Sequence, residues 1–78
     1  MELRSNGSEI RRRRVLKGLS LTEFAQMTGY TLNHASQVEL GNNKAGPAFL
    51  RKAAHLFECE VSDLLMEQRP QGRRGAAA

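Results

Sequence analysis

The sequence predicts an all-α fold: one compact domain of five short helices. Three observations point there. Apolar residues recur at helical spacing in brief segments. Gly18, Gly29 and Gly41 fall where those segments end, and glycine takes the left-handed conformation of a helix stop without a Cβ clash. Start signals precede the segments: Ser20 with Glu23 three residues on, Thr31, and Pro47.

Residues 1–7 are polar and end in glycine, which predicts a flexible arm; the domain itself is expected over 8–68. Ser8 is the candidate N-cap of a first helix running to about Lys17, with Glu9 favourable at the positive end of the helix dipole. Its expected apolar anchors are Ile10, Val15 and Leu16. Arg11, Arg12, Arg13 and Arg14 are about 100° apart around it, so they cannot all face one ligand. For Arg11 and Arg12 the plain expectation is a solvated face.

In the second helix Ser20 and Glu23 form a capping box, and Leu21, Phe24 and Ala25 supply a buried stripe up to Gly29. The third runs from Thr31 to Gly41. Helices below roughly 12–15 residues are marginal alone, so this one must be pinned on Ala35 and Val38 with its other side outward. That outward side carries Asn33, His34, Ser36 and Gln37 rather than the usual Lys and Glu. Such side chains both donate and accept, which is the chemistry needed to read base edges in a major groove.

Residues 42–47 form a turn-rich loop. Pro47 then opens the most hydrophobic helix, with Phe49, Leu50, Ala53, Ala54, Leu56 and Phe57 as core. Cys59 lies in a short connection, and Val61, Ser62 and Asp63 are expected to cap a fifth helix carrying Leu64, Leu65 and Met66. Residues 69–78, rich in Gly, Arg and Ala, read as a disordered basic tail.

Composition narrows the function classes. The chain has 78 residues, near the lower limit for a single core without staples. Its one cysteine cannot form an internal disulfide, which suits a reducing cytoplasm. No apolar run approaches the roughly 20 residues of a membrane span, and the N-terminus has no signal-peptide pattern. Twelve Lys and Arg against eight acids give a net charge of +4. Arg4, the arginine run and Lys17 precede the third helix, whereas Glu58, Glu60, Asp63 and Glu67 come late; this asymmetry favours a polyanion on one side.

Catalysis lacks converging groups. His34 and His55 are on different helices without a ligand-spaced companion, so no metal is expected. Cys59 has no activating neighbour in sequence, and neither a phosphate-binding glycine loop nor a serine nucleophile turn is present. The reading is a protein that is not an enzyme and needs no cofactor.

The order Gly18-Leu19-Ser20, Phe24-Ala25, Gly29, Ser36, Val38-Glu39, Gly41, Pro47, Leu50, Ala54, Leu56, Val61 and Asp63-Leu64-Leu65 resembles the phage repressor and Cro-like (XRE-type) family of bacterial DNA-binding proteins. It runs from about Glu9 to Met66. The resemblance implies a lambda-repressor-like domain with a helix-turn-helix at its second and third helices. It implies base readout by Leu32, Asn33, His34 and Gln37. Phosphate contacts are expected from Arg4, Lys17, Ser20, Thr31, Ser36, Asn43 and Lys44. It also implies a structural ion pair between Arg14 and Glu39.

Two positions depart from the family. Leu21 stands where a phosphate-contacting glutamine is usual, and Ala35 replaces a larger aliphatic. The smaller Ala35 leaves room for Phe24 or Phe57 to fill, or draws the third helix closer to the core. The implied function is sequence-specific binding of double-stranded DNA as a transcription regulator. It would act as a repressor on an inverted-repeat operator, in the cytoplasm or nucleoid. A homodimer is expected at least on DNA, with Phe57, Val61, Leu64, Leu65 and Met66 as candidate interface. The alternative is an antitoxin or adaptor whose main role is binding a partner protein.

Overall fold

The computed structural model describes residues 3–67; the expected tail over 69–78 lies outside them. Four α-helices carry the fold: α1 Gly7–Leu16, α2 Leu21–Thr28, α3 Leu32–Leu40 and α4 Pro47–Phe57. A single 3₁₀ turn, Val61–Leu64, follows α4. Strand β1 (Leu3–Ser5) pairs antiparallel with β2 (Leu65–Glu67), Leu3 opposite Glu67 and Ser5 opposite Leu65.

The expected fifth α-helix is therefore absent from the described residues. The Asp63 carboxylate accepts the Glu60 N–H at 3.0 Å, and the resulting turn is only long enough to drop Leu64 into the core. From Leu65 the backbone is extended and its hydrogen bonds go to β1 instead of to another helical turn. The same pairing corrects the expected flexible arm, since residues 3–5 are a strand and Gly7 already belongs to α1. The cap of α1 is Asn6 rather than Ser8: its Oδ1 accepts the Glu9 N–H at 3.1 Å and the Ser8 hydroxyl at 3.0 Å.

Ile10, Phe24, Ala25, Ala35, Val38, Ala45, Phe49, Leu50, Ala53, Ala54, Phe57 and Leu64 form the core. Phe24 stacks on Phe57 with centroids 5.5 Å apart and meets Phe49 edge-on at 5.8 Å, so aromatic bulk occupies the core that includes Ala35. Thr28 is buried, and its hydroxyl is satisfied by the carbonyls of Phe24 and Ala25. Val15 and Leu16, expected anchors of α1, are 54% and 71% exposed. What seats α1 is Ile10 together with Gly7. A Cβ on Gly7 would stand 2.6 Å from the Glu39 carbonyl oxygen and closer still to that of Val38. The glycine thus lets the start of α1 touch the backbone at the end of α3.

Candidate nucleic-acid interface

Two hydrogen-bonded caps set the entries to α2 and α3. At Ser20 the hydroxyl oxygen accepts the Glu23 N–H at 3.0 Å while Glu23 Oε1 accepts the Ser20 N–H at 2.8 Å. At Thr31 the hydroxyl oxygen accepts the His34 N–H at 3.0 Å. Each hydroxyl spends its oxygen on the cap and keeps its own proton to donate outward. Gly29, at φ 80°, makes the turn between these helices. Leu21, at the position where the family has its glutamine, packs half-buried against the core and offers no polar group.

Ala35 and Val38 are fully buried and bind α3 to the body of the domain. Its far end is held by Arg14, whose Nε donates to Glu39 Oε2 at 2.7 Å and whose Nη2 donates to Glu39 Oε1 at 3.1 Å. Arg14 Nη1 also donates to the Leu19 carbonyl at 2.9 Å, so one planar guanidinium ties α1, the α1–α2 turn and α3 together.

The four residues expected to read bases are not equivalent. Leu32, 49% exposed, and Asn33 stand clear of the body at the start of α3. His34 turns back: its ring lies on Tyr30 with centroids 5.0 Å apart and meets Phe49 edge-on at 5.6 Å, anchoring it beside the core. Gln37 is half-buried, and its Oε1 accepts a hydrogen bond from Asn42 Nδ2 at 2.8 Å. In the sequence Asn42 is an ordinary member of the 42–47 loop, because its type suits any turn after a glycine stop.

The residues expected at phosphates divide likewise. Ser20, Thr31, Asn43 and Lys44 are exposed, and Ser36 is half-buried. Lys17 sits 3.9 Å from Glu58 at the end of α4, which directs it toward that helix. Arg4 on β1 comes together with Lys44 and Arg51 around a groove of about 420 Å³ lined by Leu50, Val61 and Leu65. Ser5 fastens this corner, its hydroxyl oxygen accepting the Ala45 N–H at 3.1 Å. Arg51 carries no such signal in the sequence, since it is the β1–β2 pairing that brings Arg4 to it.

Of the five candidate interface residues, Phe57 and Leu64 are 9% and 0% exposed and belong to the core instead. Val61 and Leu65 are partly covered, and Met66 is 40% exposed. Burial pushes the Cys59 thiol above its ordinary pKa, against the lowering effect of nearby Arg13. Among the described residues no group of three or more His, Cys, Asp or Glu is placed to hold a metal ion, and no helix is long and apolar enough to cross a membrane.

A helix-turn-helix family model matches residues 10–64. Among solved structures, the restriction-modification controller protein C.AhdI from Aeromonas hydrophila is similar at 28% identity. Its TM-score is 0.69, over 74% of this chain and 88% of that one. The N-terminal DNA-binding domain of SinR from Bacillus subtilis is 29% identical with a TM-score of 0.72, over 82% and 94%. SinR, a master regulator of biofilm formation, is also similar as solved in complex with DNA (29% identity, TM-score 0.69, over 74% and 94%). Its complex with SinI is similar at 27% identity, with a TM-score of 0.70 over 91% of this chain and 70% of that one. No curated protein sequence matches. The family match runs from Ile10, the first core residue of α1, to Leu64 at the end of the 3₁₀ turn, and so spans the packed core; the chain belongs to the XRE-type helix-turn-helix family of DNA-binding transcription regulators.

Proposed function

We propose that this protein is a sequence-specific transcription regulator of the repressor kind, binding an inverted-repeat operator in double-stranded DNA as a homodimer. The observation that carries the proposal is α3: a helix buried on one side through Ala35 and Val38, presenting Asn33 and Gln37 on the other. A helix of this kind fits the major groove with its N-terminal half against base edges. Asn33 and Leu32 are placed to reach first, Asn33 through amide hydrogen bonds and Leu32 through contact with a thymine methyl.

Phosphates flanking that groove would be met by the hydroxyl protons of Ser20 and Thr31, by Asn43, and by the cationic corner of Arg4, Lys44 and Arg51. Phosphate contacts set register and affinity, whereas the amides set sequence preference. Because the domain is small, pairing two copies on half-sites about one helical turn apart supplies the affinity a genomic site requires. Val61, Leu65 and Met66 are the interface candidates that the core leaves accessible.

Selection of bound duplexes from a random pool tests this reading. It should return two inverted half-sites with a fixed spacing. A pool showing no enrichment over random competitor at moderate ionic strength would refute it.

A second reading, a role in binding a partner protein, draws support from the exposed acids Glu58, Glu60 and Asp63 beyond α4. The similar SinR has such a partner in SinI. Charge reversal at these acids should leave DNA selection unchanged if they serve a protein partner.

A further inference from the structure

We propose that Asn42 fixes which way the Gln37 amide faces, and thereby makes Gln37 a hydrogen-bond donor that favours guanine over adenine. The inference rests on the DNA-reading role proposed for α3 and goes beyond it by assigning a second residue, in the following loop, to specificity.

The geometry is a two-part clamp. Gly41 takes the left-handed conformation at φ 85° and folds the chain back over the end of α3. The Gln37 backbone carbonyl then accepts the N–H of Asn42 at 2.9 Å and that of Asn43 at 3.2 Å. This fixes the Asn42 backbone beside Gln37. Asn42 Nδ2 then donates to Gln37 Oε1 at 2.8 Å. The Gln37 amide is left with its Nε2 group uncommitted, for among the described residues no hydrogen bond from that nitrogen is present.

An unrestrained glutamine reads adenine by using both ends at once, accepting from N6 and donating to N7. Here the accepting end is shared with Asn42, while the donating end is whole. Guanine presents O6 and N7, both acceptors, along the same edge. A glutamine with its Nε2 turned outward therefore matches guanine through donation alone, whereas adenine N6 must share the one lone pair of Oε1 that Asn42 leaves, on the side turned toward the loop. Asn42 touches no base in this scheme; it is a positioning residue that acts through Gln37.

Asparagine and aspartate have the same shape and opposite hydrogen-bonding capacity at this atom, which supplies the test. In Asn42→Asp the carboxylate can only accept, so Gln37 must turn its Nε2 inward and its Oε1 outward. Residue 42 is exposed beyond the end of α3, so the substitution leaves the core untouched. Duplex selection with the wild type, Gln37→Ala, Asn42→Asp and Asn42→Ala provides the comparison.

The wild type should enrich guanine at one half-site position, and Gln37→Ala should erase that preference alone. At the same position Asn42→Asp should move the preference by about tenfold toward a base that presents an amino donor in the major groove, adenine or cytosine. Asn42→Ala should broaden it. A uniform loss of affinity from the added charge leaves these ratios unaffected. The proposal is overturned if Asn42→Asp and Asn42→Ala both leave the Gln37-dependent preference where it was, or if the wild type prefers adenine there. A wild type that enriches no sequence would instead overturn the DNA-reading role itself.

Discussion

Arg14 and Glu39, 25 residues apart in sequence, meet through two parallel hydrogen bonds of 2.7 and 3.1 Å with side chains only 12% and 6% exposed. At that burial the pair differs in kind from the exposed Arg12–Glu9 contact at 3.0 Å, where Arg12 is 62% exposed. Removing one partner of a buried pair leaves an uncompensated charge. Arg14→Ala should therefore destabilise the fold by about 3–5 kcal/mol, and Arg12→Ala by less than about 1 kcal/mol. Denaturant melts of the two variants check the ranking. Replacing Arg14 and Glu39 together by Met should recover much of the loss, since no charge is then stranded.

Gly7 should tolerate no side chain. A methyl group there meets two backbone carbonyls at the end of α3, and a backbone cannot swing aside as a side chain does. Gly7→Ala should cost about 1–3 kcal/mol, as overpacking does elsewhere. It should also weaken DNA binding by displacing α3. Unchanged stability would mean that α1 can slide outward freely.

Asn33→Ala should lower specific binding by about 1–3 kcal/mol and relax preference at one or two base positions. Binding to random duplex should stay nearly constant. Equal weakening on every sequence, measured by titration against specific and scrambled duplexes, would assign Asn33 to the phosphates.

Lys44→Ala should act the other way, weakening all duplexes alike and flattening the slope of log K against log salt by about one unit. A salt series with an unaltered slope would remove Lys44 from the phosphate contacts.

Cys59 should alkylate more slowly near neutral pH than an exposed peptide thiol, because a raised pKa leaves less thiolate. Arg13 lowers that pKa, so Arg13→Ala should raise it further and slow the reaction again. Faster labelling of the variant would reverse the assigned sign.

The helical frame was legible in the sequence because its signals are local. The Ser20–Glu23 box, the Thr31 cap, the stops at Gly29 and Gly41, and Pro47 at the start of α4 all lie where those residue types demand. What escaped is non-local. Leu65 and Met66 carry the apolar character of a helix, and only the presence of Leu3–Ser5 alongside them makes a strand. Val15 and Leu16 look like core until Gly7 and Ile10 are seen to fill that role. At the interface, residue type singled out Asn33 and Gln37. It could not reveal that Tyr30 and Phe49 draw His34 aside, or that Asn42 engages Gln37.

The antiparallel register of β1 and β2 places Leu3 opposite Glu67, so the two limits of the described fold are neighbours in space. A short linker between those positions would close the backbone into a ring with little distortion. The ring should then accept a new opening at an exposed turn such as Lys17–Gly18, and the rearranged polypeptide should still fold. A module joined directly at Leu3 and one joined directly at Glu67 would therefore leave the fold side by side, from the strand pair whose Ser5 holds the Ala45 N–H.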